Sequence, residues 1–141
     1  MNRELVGFGP KSDLDPVAVL LGAAELLEKP GAWTQHAFAR DRDGSTCAVS
    51  DERACCFCMQ GAVNRVIWNK FGGHESSSIR QFTCKSDEMY FIIRNAWRTL
   101  HQKNSHLANH INWNDRTVRT QAEVVAELRG IAAAVQAGGV Q

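Results

Sequence analysis

A Thr120-x-x-Glu123 pair stands directly ahead of Val124, Leu128, Ile131 and Val135. A Thr at a helix start accepts a hydrogen bond from the backbone three residues on, and a Glu at that third position returns one, so the pair marks a helix N-terminus. The four apolar residues recur at helical spacing and share one face, flanked by Val125 and Ala132. A helix with one apolar face must bury it against other elements, which commits the chain to helix packing. Gly138-Gly139 supplies the stop.

The same grammar recurs upstream. Asp15 and Pro16 are cap and first-turn residues for a helix carrying Val17, Leu20, Leu21, Ala24 and Leu27, stopped by Lys29-Pro30-Gly31. Met89, Ile92, Ile93, Ala96, Trp97 and Leu100 predict another, opened at Ser86. A further helix is predicted from Ser50 or Asp51, through the cysteine cluster, to Phe71 and the Gly72-Gly73 stop. On it Cys55, Cys58, Ala62, Val66 and Asn69 share a face. Gly61 in its interior costs about 1 kcal/mol relative to Ala. That predicts close approach by a neighbour, with the Trp113 ring expected beside Gly61 and Cys58.

Asp43-Gly44 is a turn pair, and residues 33–49 read as a short hairpin. Residues 72–85 read as a polar loop, and 102–119 as irregular with a helical turn. The expected fold is mainly α: about four packed helices around one core, with a small β-hairpin against one side. Residues 1–12 form a flexible N-terminal arm in this reading, and 13–141 a single globular domain.

Sixteen basic and fifteen acidic residues give a net charge of +1, which supplies no broad attraction to nucleic acid or an anionic membrane. No signal peptide or membrane span is legible, so the expected place is the cytoplasm. Five cysteines, with Cys55, Cys56 and Cys58 crowded together beside Cys47 and Cys84, do not follow the layout of a secreted disulfide scaffold.

Candidate chemistry is sparse. Cys55 and Cys58 with His106 and His110 have the residue types and pair spacings of a tetrahedral zinc site. The gap between the pairs far exceeds the ~12 residues of a zinc finger, so no metal or cofactor is expected and the thiols read as small hydrophobes. A helix-start cysteine with His106 or His110 as base, oriented by Asn109, Asn112, Asn114 or Asp115, would make a cysteine-dependent enzyme. No phosphate loop, H-E-x-x-H or G-x-S-x-G is present. Trp33, Trp97 and Trp113 are expected to pack, and Trp68 to be the exposed tryptophan.

Four blocks in order, Trp33-Thr34-Gln35, Cys58-Met59-Gln60-Gly61-Ala62, Trp113-Asn114-Asp115 and Arg119-Thr120-x-x-Glu123-Val124, resemble an uncharacterised family of small bacterial and phage proteins over roughly residues 14–135. The resemblance implies a shared fold and no assigned activity. Cys55 and Cys56 are additional to its pattern. The functional expectation is a non-enzymatic accessory protein, of phage or mobile-element origin, that binds a protein partner. Its contact site is expected where an aromatic anchor meets basic residues, at Trp68, Lys70, Phe71, Arg80 and Phe82. The alternative is the cysteine-dependent enzyme or zinc-stabilised module built on Cys55, Cys58, His106 and His110.

Overall fold

The computed structural model describes residues 14–71, 76–105 and 107–138, and of residues 76–79 the backbone alone. The arm at 1–12 and His106 lie outside the described residues. The chain is mainly helical with a two-stranded antiparallel sheet, as the sequence predicts. In order the elements are α1 (Pro16–Leu27), β1 (Ala39–Arg40), β2 (Cys56–Phe57), α2 (Met59–Phe71), α3 (Ser76–His101), α4 (His110–Asn114) and α5 (Gln121–Gln136). Helix α1 packs against α5 and α2, and α2 packs on to α3.

The predicted caps of α1 and α5 are in place. Asp15 Oδ1 accepts from the N–H groups of Val17 and Ala18, and Pro16 fills the first position. Thr120 Oγ1 accepts from Glu123 N at 3.2 Å, and Glu123 Oε1 accepts from Thr120 N at 2.9 Å. These caps aim the buried faces at each other. Leu20, Ala23, Ala24 and Leu27 of α1 meet Val124, Leu128 and Ile131 of α5, all within one core with Met59, Ile67, Met89 and Ile93. Gln121 donates to the carbonyls of Leu27 (2.6 Å) and Lys29 (2.8 Å), so the start of α5 also satisfies the end of α1.

Three expectations are corrected. Helix α2 begins at Met59 rather than at Ser50 or Asp51. Asp51 spends its carboxylate on Arg53, accepting from Arg53 N at 2.8 Å and from its guanidinium, so it closes a turn instead of opening a helix. Residues beyond it pair as a strand, and the cysteine cluster is extended backbone. The turn near Asp43-Gly44 exists and Thr46 bridges Arg40, but the two-stranded ladder pairs Ala39 with Phe57 and Arg40 with Cys56.

The third correction concerns 72–85. Residues from Ser76 onward are helical, so α3 starts ten residues before the expected Ser86 cap. Phe82 stacks edge-on against Trp68 at 5.2 Å, an anchor that extends the helix past where its polar sequence reads as loop. Ser86 lies buried inside α3 with no hydrogen-bond partner for its hydroxyl among the described residues. No helix of the described residues is long and apolar enough to cross a membrane.

Candidate binding cleft

Asn114 is fully buried at the end of α4 and joins three distant segments. Its Oδ1 accepts from the Trp33 indole N–H at 2.7 Å and from Met59 N, the first residue of α2, at 3.1 Å. Its Nδ2 donates to Thr34 O at 3.3 Å and to Asp115 Oδ1 at 2.9 Å. Gln35 Nε2 donates to the carbonyls of Asn114 and Arg116. His36 N donates to Asp115 Oδ1 at 2.9 Å. Both functions of one side-chain amide are thereby used, and all but the bond to the adjacent Asp115 cross between segments. Such a satisfied buried network fixes relative positions more tightly than apolar contact does.

The lock holds His36 with φ at 65°, a left-handed conformation uncommon outside glycine. The chain then runs across the start of α2. Phe38 O accepts from Cys58 N at 3.4 Å, and a Cβ on Gly61 would overlap that carbonyl oxygen and lie 2.8 Å from its carbon. Gly61 therefore makes room for the Phe38 backbone, not for the Trp113 ring as expected. Trp113 turns away, with the Arg119 guanidinium 3.8 Å from its ring centroid and the His101 ring at 6.1 Å. The two blocks do meet, through Asn114 and Met59 rather than through the tryptophan.

What results is a cleft of about 390 Å³ lined by His36, Ala37, Phe38, Cys58, Ile111 and Asp115. Cys58 sits on its inner wall at 2 % exposure and acts as the cap of α2: its carbonyl accepts from Ala62 N and its Sγ from Gly61 N at 3.3 Å. Burial pushes its thiol up to about 11, so at neutral pH it is protonated. Asp115 Oδ1 is engaged by two donors, while Oδ2 faces the His36 ring at 3.8 Å.

Of the alternative zinc or thiol centre, Cys55, Cys58 and His110 are not brought together, and His106 lies outside the described residues. Cys55 is exposed and lines a separate cleft with Asp41, Arg42, Asp43, Glu52 and Arg53, whereas Cys58 faces Asp115. His110 is fully buried beneath Tyr90, with Nε2 2.6 Å from Gln60 Oε1. The Gln60 amide is oriented by its own bond to Asn64 at 2.8 Å, which makes Oε1 the acceptor and His110 Nε2–H the donor. Burial lowers the His110 pKa to about 3, with Arg94 adding to the effect, and its Nδ1 is buried without a partner. Among the described residues no three His, Cys, Asp or Glu side chains are grouped to hold a metal.

The residues expected to contact a partner lie at another place, where α2 ends and α3 begins. Trp68 is half-buried against Phe82, and Phe71 lies within 6.0 Å of the Lys70 ammonium and 5.1 Å of that of Lys85. Arg80 is exposed on α3. Four of the five thus fall into two ring contacts.

The conjunction of these blocks extends over nearly the whole chain. The chain belongs to a family of unknown function, DUF6197, whose pattern matches residues 11–134. That span includes the Asn114 lock and every residue lining the cleft. Neither a curated protein nor a solved structure matches the chain. Sequence reasoning singled out Cys58, Asn114 and Asp115 but not His36 or Phe38. The only available signal was their place just after the Trp33-Thr34-Gln35 block.

Proposed function

We propose that this is a non-catalytic accessory protein, of phage or mobile-element origin, that works by binding a protein partner in the cleft around Cys58. One observation carries the proposal: the Asn114 lock assembles three segments into a preformed cleft whose thiol is capped and protonated. A cleft held by directional bonds before binding loses little freedom on binding, which favours recognition. Catalysis by Cys58 needs a thiolate, and burial holds the proton on. The N–H groups of Met59 and Gly61 at the start of α2 are already engaged by Asn114 and by the Cys58 sulfur, which leaves neither free to stabilise an oxyanion.

The partner surface first expected from the sequence, around Trp68, Lys70, Phe71, Arg80 and Phe82, competes with the cleft for this role. Comparative capture from cells of the native host separates them. Wild-type bait is expected to retain a partner that Phe38→Ala loses and Trp68→Ala keeps. Loss with Trp68→Ala or Arg80→Glu, and retention with Phe38→Ala, moves the site to the α2–α3 end. Stoichiometric labelling of Cys58 by iodoacetamide at neutral pH within minutes, in the folded protein, would instead support the enzyme.

A further inference from the structure

Two features of the cleft point in the same chemical direction. The first is Asp115. Its Oδ1 is committed to His36 N and Asn114 Nδ2, but Oδ2 has only the long contact to the exposed His36 ring. The carboxylate is thus fixed in place, 24 % exposed, with lone pairs directed into a small and mostly apolar space. A carboxylate held in such surroundings attracts a cation more strongly than one in bulk water. Among the described residues no Lys or Arg lines the cleft to serve it.

The second is Phe38. Its main chain is pinned against Gly61 and Cys58 N, yet its ring remains 49 % exposed at the cleft. The fold uses the backbone of this residue, and nothing in the core uses the ring. An exposed aromatic face beside a fixed carboxylate binds a cationic side chain by ring attraction and ion pairing together. Ala37 and Ile111 give an apolar wall for an aliphatic stem. At about 390 Å³ the space is at the lower end of ligand sites, roughly 300–1,000 Å³, and has room for one long side chain.

We infer that the cleft is a receptor for a single arginine side chain presented by the protein partner, with the guanidinium against Asp115 Oδ2 and the Phe38 ring. The inference rests on the partner-binding reading above and adds the chemistry of the contact. Arginine is favoured over lysine because its planar head stacks on a ring while donating sideways to a carboxylate.

The test uses the full chain, 15N-labelled, titrated with N-acetyl-arginine-methylamide and, separately, with the uncharged N-acetyl-norleucine-methylamide. Saturable amide shifts confined to residues 36–38, 58, 111 and 115 are expected for the arginine probe alone. Asp115→Asn keeps an Oδ1 acceptor for His36 N and Asn114 Nδ2 while removing the charge, and should weaken probe binding about ten-fold. Phe38→Ala leaves the backbone contact in place and should weaken it several-fold. Equal shifts with the norleucine probe, no saturable shift, or unchanged binding in a folded Asp115→Asn each overturn the inference. A captured partner that binds Asp115→Asn as well as wild type overturns it while leaving partner binding intact. Arginine binding in the cleft with no partner captured upholds the chemistry of the contact and overturns its delivery by a protein partner.

Discussion

The start of α2 and its end are built from different forces. At the start, Asn114, Gln35 and Asp115 make directional hydrogen bonds between segments far apart in sequence, and Gly61 lets one backbone lie on another. At the end, Trp68 meets Phe82 edge-on, and Phe71 is flanked by Lys70 and Lys85. Ring contacts tolerate shifts of orientation, whereas a side-chain amide with both ends satisfied does not. The bonded end therefore holds a shape, and the aromatic end holds only a proximity. This is the physical reason for proposing a partner site at the first and not the second.

The contrast breaks if Asn114→Ala is mild. It strips the partners from Trp33 Nε1, Met59 N and Thr34 O at once, and about 3–5 kcal/mol should be lost in urea unfolding. A loss under about 1 kcal/mol would mean that the lock does not organise this end.

Acid should also act on the bonded end. His110, whose ring meets Gln60 of α2, has its folded pKa lowered to about 3 from 6.5, so the unfolded chain binds a proton that the folded chain refuses. Its contribution is present above about pH 6.5 and is lost as pH falls toward 3, at up to roughly 1.4 kcal/mol per pH unit. Urea midpoints measured from pH 7 to pH 4 should fall more steeply for wild type than for His110→Gln. Parallel curves would show that this histidine accepts its proton without unfolding.

Glycine substitutions sharpen the contrast at single-atom scale. Gly61→Ala drives a methyl into the Phe38 carbonyl and should destabilise by about 2–3 kcal/mol. Gly130→Ala, at an exposed position of α5 with nothing within 4 Å of the added carbon, should stabilise by up to about 1 kcal/mol. Thermal melts of the pair should move in opposite directions. The smallest effect belongs to the aromatic end: a Trp68→Leu, Phe82→Leu double-mutant cycle should give a coupling of about 0.5–1.5 kcal/mol. A larger coupling would make that end as tightly specified as the other.

How far the sequence disclosed these regions follows from the range of the interactions. Local signals were legible: Asp15-Pro16 and Thr120-x-x-Glu123 cap α1 and α5 within three residues of themselves. The start of α2 was not, because Asp51 has the chemistry of a cap and also of an Asx turn, and the Arg53 side chain decides between them. The start of α3 was hidden because a Ser-rich lead is polar, and its helical state goes with a tertiary ring contact at Phe82. Gly61 announced a close neighbour but could not name it, since both Phe38 and Trp113 are far from it along the chain. His36 and Asp115 meet only through the fold.

The bonds that tie the lock to distant segments join residues 55 to 81 positions apart. Contacts of that separation are late in synthesis and late in folding, because the intervening chain must collapse first. A chain in which Asn114 and Asp115 have not yet docked thus lacks the Ile111 and Asp115 wall of the cleft beside Cys58. A partner of the kind proposed would meet a complete cleft only on molecules that have finished folding, so its binding would double as a quality check on the molecule that does it.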